Sequence, residues 1–220
     1  MGAALAATFT ARGEKVLGTA RATPGLLPLD VTDPAAPAAL AAQLGDIALD
    51  ALICNAGVYL DKAEDLDSGY APEQWAQTFA VNVTGVFLTV QAMLPLLERA
   101  PAAKIMIISS QMGSNALAKG NALIYRASKA AALNLGSNLA MALKPRGIAV
   151  GTYHPGWVRT GMGGEAAGFL RDPDRIKRIE LATTSYGQGM TATGMQLVSA
   201  LAALGNGGER MQPYIVSEIR

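Results

Sequence analysis

Lys104-Ile-Met-Ile-Ile-Ser-Ser-Gln-Met-Gly113 is the stretch on which the fold turns. Its apolar, isoleucine-rich run over 104–109 shows no polar alternation, so it reads as a strand covered on both faces, which belongs in a parallel sheet with helices above and below. The flanks supply those helices. Upstream, a long helical segment covers about 72–99; downstream, another covers about 123–143 and is stopped by Pro145 and Gly147, after which 148–153 reads as a further strand. Farther out, 49–54 is an apolar strand, 34–44 an Ala-rich helix, 15–20 (Lys-Val-Leu-Gly-Thr-Ala) a buried strand, and 2–12 an Ala-rich helix ended by Gly13. Helices and apolar strands in alternation predict an α/β fold with a doubly wound parallel sheet, in which ligands sit beyond the carboxyl ends of the strands.

The 220 residues suffice for one domain with a proper core, and a single domain over 1–220 is expected. With 18 Lys and Arg against 17 Asp and Glu, the formal charge of +1 favours neither nucleic acid nor anionic membrane, so a small molecule is the expected partner. Cys54, the one cysteine, excludes an internal disulfide, and its Ala-Leu-Ile-Cys setting reads as a buried strand residue rather than a nucleophile. A reducing cytoplasm fits it. No uncharged apolar run is read as approaching the roughly 20 residues of a membrane-spanning helix. The start of the chain reads as a helix, since no basic region precedes its apolar residues, and Ala6 stands where a myristoylation signal wants Ser or Thr. His154, the sole histidine, cannot form a zinc cluster with a single cysteine, so it is read as structural and no metal is expected.

The chemistry-bearing residues cluster around the opening stretch. Tyr125 and Lys129, in Tyr-Arg-Ala-Ser-Lys, are one helical turn apart and share a face, with Cβ atoms about 5–6 Å apart. A nearby ammonium stabilises a phenolate, which would bring proton exchange with a carbonyl or alcohol oxygen nearer neutral pH. The alternative is a plain amphipathic surface pair. Ser110 ends the 104–109 strand at the carboxyl edge and can hydrogen-bond the reacting oxygen. Asn82, polar within an apolar helix, either holds a proton-relay water or is a satisfied core amide.

Cys-Asn-Ala-Gly at 54–57, Asn-Val-x-Gly at 82–85, Ser-Ser-x-x-Gly at 109–113, Tyr-x-x-x-Lys at 125–129 and Pro-Gly at 155–156 follow in the order and spacing of short-chain dehydrogenases. The strings Ser-Ser-Gln-Met-Gly-Ser, Tyr-Arg-Ala-Ser-Lys-Ala-Ala-Leu-Asn and His-Pro-Gly-Trp-Val-Arg-Thr resemble the C-factor-like branch, and the likeness extends over about 2–166. The resemblance implies a Rossmann-like fold and hydride transfer between a nicotinamide and a carbonyl or alcohol carbon, with Asn82, Ser110, Tyr125 and Lys129 as a catalytic tetrad. It also implies that Asp30 and Val31 flank adenine and that Asn55, Ala56 and Gly57 line the adenosine and ribose. Tyr125 and Lys129 would contact the cofactor as well, and Pro155, Gly156 and Thr160 would border the nicotinamide. At the end of the 15–20 strand, where relatives using NAD carry an acid, this chain reads Gly-Thr-Ala-Arg. Arg21 therefore suggests NADP, with NAD possible and a plain surface arginine as the alternative. Such enzymes commonly associate through their two long central helices, here 72–99 and 123–143, so a homo-oligomer is expected.

Two departures accompany the likeness. The family's opening strand and its Thr-Gly-x-x-x-Gly-x-Gly loop do not precede the first helix; Gly2 resembles the last glycine of that loop. Without that strand, two interior strands lose a common neighbour, and each buried backbone group left unpaired costs roughly 1–3 kcal/mol. Beyond about 167 the segment is atypical. Residues 178–219 resemble an internal piece of a penicillin-binding transpeptidase domain that carries no nucleophile, and a helix over 191–204, a glycine-rich turn and a strand over 214–219 added to the sheet are expected there. The rival to an enzyme is a dehydrogenase-like interaction protein that cannot hold a dinucleotide.

Overall fold

The computed structural model describes residues 1–155. They fall into two compact units, Met1–Val16 with Pro155 in one and Leu17–His154 in the other. In the first, α1 (Gly2–Ala11) buries Leu5 and ends where Gly13 takes a left-handed φ of 82°, its N–H donating to the Thr10 carbonyl and that of Glu14 to the Phe9 carbonyl.

The second unit runs β1 (Thr19–Ala20), β2 (Leu27–Pro28), α2 (Ala36–Leu44), β3 (Ala51–Cys54), α3 (Pro72–Phe79), α4 (Gly85–Leu97), β4 (Lys104–Ile108), α5 (Leu123–Leu143) and β5 (Ala149–Tyr153). Every strand pairing among the described residues is parallel. β4 lies between β3 and β5, with Lys104 opposite Ala51 on one side and Ala149 on the other. Paired on both edges and covered on both faces, β4 buries Ile105, Met106, Ile107 and Ile108, as its unbroken apolar run predicts. A side chain such as Ile107, with no exposed surface, contributes about 1.5–3 kcal/mol by leaving water. Val86, Val90, Met93 and Leu97 of α4 and Leu40 of α2 join Cys54, Ile105 and Ile107 in one core cluster. This is the Rossmann-like α/β fold that the alternation predicts.

The sheet stands in two pieces. β1 and β2 form a two-stranded parallel pair, and no described strand joins β1 to β3. Each of β1 and β3 thus has one edge unpaired among the described residues. The expected buried strand over 15–20 is corrected accordingly: only Thr19 and Ala20 pair, and Val16 and Leu17 are exposed at 36% and 40%. Apolar strand residues are buried by neighbours on both sides, and a strand with one short partner lacks them. The two-residue β2 was not foreseen.

The segment expected as one helix over 72–99 is continuous but changes pitch, α3 passing through a π-turn at Ala80–Thr84 into α4. The expectation that no apolar run nears membrane-spanning length is also corrected. Pro72–Leu97 has that length with a mean hydropathy of 1.7 in its most apolar window, half of which is buried inside the protein. Its apolarity serves the core just described. α5 matches the expected 123–143, followed by a 3₁₀ turn at Lys144–Arg146 and Gly147 in the left-handed region.

Candidate active site

β4 runs straight into the site. At its carboxyl end the N–H of Ser109 donates to the Tyr153 carbonyl of β5, and its hydroxyl donates to the Lys129 carbonyl on α5, so strand and helix are fastened where Ser110 emerges. Ser110 then starts a 3₁₀ turn (Gln111–Gly113), its Oγ accepting from the Met112 N–H at 3.1 Å. The same hydroxyl lies near enough to the Tyr125 phenol to pull its pKa down. On α5, the Lys129 Nζ lies 5.7 Å from the Tyr125 ring centroid and donates to the Ile108 carbonyl at 3.0 Å. Ser110, Tyr125 and Lys129 are therefore brought together, as the spacing predicts.

Their electrostatics differ from the expectation. Burial pushes the Tyr125 phenol above its ordinary value, against the nearby Ser110 hydroxyl, which pulls it down; the neighbouring Tyr59 adds a smaller upward push. Lys129, buried and directed at a carbonyl, is itself pushed down from 10.5 to about 8. The ammonium does not depress the phenol, because Lys129, at about 8, has given up its proton before a phenol above its ordinary value titrates.

This burial has a measurable consequence. The unfolded lysine keeps its ordinary value, so between about pH 8 and 10.5 the unfolded chain holds a proton that the folded chain releases, and Lys129 adds stability as pH rises across that window. Its contribution between pH 7.5 and 9.5 is about 2 kcal/mol, offset in part by the Cys54 thiol, whose pKa pushed up to about 12 opposes it from about pH 9. Chemical denaturation of the parent and of Lys129→Met at pH 7.5 and 9.5 tests it, since the parent should gain about 2 kcal/mol relative to the variant. The same pH dependence in parent and variant would show that Lys129 contributes nothing to it.

Asn82 sits in the π-turn, a helix irregularity common at functional sites. Its Oδ1 accepts from the Val58 N–H at 2.9 Å, and its Nδ2 donates to the Val58 carbonyl and to Ser128 Oγ, which in turn donates to the Tyr125 carbonyl. Both amide hydrogens are engaged by protein, so the side chain is a satisfied bracket between the loop after β3 and α5, and only an acceptor lone pair is left over for a water. Gly57, in that loop, is closely packed: a Cβ there would stand 3.3 Å from Lys129 Nζ and 3.4 Å from Asn82 Oδ1.

The other expected residues are more scattered. Asn55 and Ala56 lead from β3 into Gly57. Arg21 follows β1, exposed, and Asp30 lies just beyond β2. Asp30 is held below the usual carboxylate range, first by two hydrogen bonds from Thr32 and then by the nearby Arg21 charge. The Val31 carbonyl packs 2.7 Å from where a Cβ on Gly85 would stand, so this residue is fixed against α4. Gly2 opens α1 in the first unit and Pro155 also belongs there. Gly156, Thr160 and the expected tail elements lie outside the described residues. Cys54 is buried as expected, its thiol pushed up to about 12 by burial.

Several site residues were not foreseen. Tyr59 stacks on Tyr125 with ring centroids 4.4 Å apart, Ser128 links Asn82 to α5, and Asp61 bonds the first amides of α5. Arg126 ties α5 to the preceding loop through the carbonyls of Met112, Leu117 and Asn121. Ala122, the residue before α5, offered the one signal in the sequence: a helix starting after alanine has no side-chain cap of its own and needs one from elsewhere.

Comparison with known proteins agrees with this geometry. Residues 1–168 match the short chain dehydrogenase family, and residues 137–220 match the penicillin binding protein transpeptidase domain. Where the two matches overlap within the described residues, the chain forms the end of α5 and β5 of the parallel sheet. The C-signal of Myxococcus xanthus is 38% identical over 130 residues, covering 59% of this chain and 76% of that protein. The 3-oxoacyl-(acyl-carrier-protein) reductase FabG of Escherichia coli (strain K12) is 30% identical over 179 residues, covering 74% of this chain and 70% of that one. Among solved structures, the NADPH-bound carbonyl reductase from chicken fatty liver is 36% identical with a TM-score of 0.56, covering 66% of this chain and 63% of that one. A parallel sheet whose central strand delivers a serine to a tyrosine and a lysine one turn apart, together with a family match over most of the chain, makes this protein a member of the short-chain dehydrogenase family of oxidoreductases.

Proposed function

We propose that the chain is an NADP-preferring carbonyl reductase or alcohol dehydrogenase of the reducing cytoplasm. The observation that carries this reading is the convergence of Ser110, the Tyr125 phenol and buried Lys129 at the carboxyl end of β4, with Lys129 Nζ 5.7 Å from the Tyr125 ring centroid and bonded to the Ile108 carbonyl. Ser110 orients the substrate oxygen, and Tyr125 gives it a proton in reduction or takes one in oxidation. The upward push on the phenol keeps it protonated at neutral pH, which suits the reducing direction. Lys129 contacts the ribose through the hydrogens that Ile108 leaves unused, and Asn82 fixes the loop carrying Gly57.

Two features of this chain fit a dinucleotide. A side chain at Gly57 would crowd Lys129 Nζ and Asn82 Oδ1, so glycine leaves room for a ligand to approach the backbone. Arg21, exposed beyond β1, suits a 2′-phosphate, with Asp30 and Val31 beside the adenine and Asn55 and Ala56 toward the ribose. When bound, the nicotinamide supplies or accepts the hydride at the carbon bearing the oxygen. Gly2, Pro155, Gly156 and Thr160 belong to the same proposed cradle by resemblance alone. Exposed Trp75, Phe87 and Met141 on α3, α4 and α5 support a homo-oligomer through these helices.

Titration with NADPH tests the reading. A Kd in the micromolar range that is lost in Lys129→Ala is expected, whereas no signal at millimolar cofactor would leave the interaction-protein reading in possession. Arg21→Ala should weaken NADPH by roughly 10- to 100-fold, the worth of a charge-assisted hydrogen bond, and leave NADH unchanged. Equal loss for both cofactors would remove Arg21 from the phosphate.

A further inference from the structure

We propose that Asp61 is a positioning residue for the redox centre, its buried carboxylate acting as the N-terminal cap that α5 lacks and so setting where the Tyr125 phenol stands relative to Ser110. The proposal rests on the reading of Tyr125 as the proton exchanger. The first amides of a helix have no partner within it, and a side-chain oxygen at the preceding residue normally takes them. Here that residue is Ala122, which has none to offer.

Asp61 supplies the oxygens from 63 residues away. Its Oδ2 accepts from the Ile124 N–H at 2.7 Å and from the Tyr125 N–H at 3.3 Å, while Oδ1 accepts from the Tyr125 N–H at 3.2 Å. The carboxylate has no exposed surface, so it cannot touch substrate. A buried carboxylate is costly unless hydrogen-bonded, and the amides and positive dipole end of α5 provide that compensation.

Two further observations tie this cap to Tyr125. Ala122 is held at φ 51°, ψ 48°, a left-handed conformation that strains any residue with a Cβ and persists only where surrounding bonds impose it. Tyr59, two residues before Asp61, stacks on the Tyr125 ring. One loop thus pins the backbone of Tyr125 through Asp61 and its ring through Tyr59.

The test compares NADPH-dependent reduction of phenanthrenequinone by the full chain and its variants. Asp61→Ala should lose kcat by roughly 10²-fold through misplacement, with KM changed by less than about threefold. Asp61→Asn keeps one oxygen able to take both amides and should stay within roughly fivefold of the parent. Adding Ala122→Gly to Asp61→Ala should recover part of the lost kcat, because glycine enters the left-handed region without strain. If Asp61→Ala does not fold, Asp61→Asn decides: a loss of roughly 10²-fold there overturns the cap, since an amide caps as well as a carboxylate. Asp61→Ala that folds and keeps kcat within about threefold of the parent overturns it too.

A second readout does not depend on turnover. The ultraviolet titration of the Tyr125 phenol, obtained by subtracting the matching Tyr125→Phe derivative, should move in Asp61→Ala and stay in place in Asp61→Asn. A protein inactive on the quinone that shows this shift refutes the reductase reading and upholds Asp61; a phenol that titrates identically in all three refutes Asp61.

Discussion

Tyr125→Phe is expected to reduce carbonyl turnover by roughly 10³-fold, the scale of losing a positioned general acid. Phenylalanine keeps the ring that stacks on Tyr59 and the backbone amide that Asp61 holds, so only the hydroxyl leaves. Ser110 still accepts from Met112, and being half-buried it can turn to water. NADPH affinity should therefore change by less than about threefold and the melting temperature by a few degrees at most, since loss of a partly buried hydrogen bond is worth about 1 kcal/mol. Steady-state kinetics, isothermal titration and thermal unfolding of the same preparation separate these effects. Turnover that survives within tenfold would mean that the proton comes from another group and that the assignment of Tyr125 is wrong.

Gly113→Ala is the second large effect, and it acts through packing. Gly113 closes the turn that begins at Ser110 and lies directly on the backbone of α5. A Cβ there would stand 2.7 Å from the Lys129 carbonyl carbon, 2.8 Å from the Ala130 nitrogen and 2.9 Å from the Lys129 oxygen. None of these atoms can swing aside as a side chain could, so turn and helix must part. Overpacking of this kind costs about 1–3 kcal/mol, and the melting temperature should fall by several degrees. Separating the turn from α5 also carries Ser110 away from Tyr125, and a displacement near 1 Å lowers turnover by roughly 10²-fold. Both losses should appear together; a variant that melts like the parent would show that the turn has more room than the geometry allows.

The parts of the fold that were legible are those whose residues act locally. The run over 104–109 predicted β4 because an unbroken apolar strand has one reading in a parallel sheet, and α5 matched its expected limits because Pro145 and Gly147 punctuate its end. β2 was invisible, since two residues ending in Pro28 carry no period to detect. The 15–20 strand was over-read. Its apolar letters describe a strand with neighbours, and burial depends on strands elsewhere in the chain rather than on the segment itself. The π-turn likewise left no mark on the helical period around Asn82.

At the site, Ser110, Tyr125 and Lys129 could be placed from spacing, because strand end and helical turn fix their relation. The direction of the Tyr125 shift could not, because burial raises the phenol and removes the lysine's charge at lower pH, and burial is a property of the packed molecule. Tyr59 and Asp61 were missed for the same reason: their roles are made by contacts more than sixty residues apart in the chain.

The placement of charge in this molecule divides the effects of ionic strength. Lys129 and Asp61 are shut away from solvent, where mobile ions do not screen them, while Arg21 stands in water, where a Debye length of about 8 Å at physiological salt weakens its pull. On the proposed reading, added salt is expected to act on the choice between the two nicotinamide dinucleotides and to leave the proton step untouched, so that recognition and chemistry answer to different solution conditions.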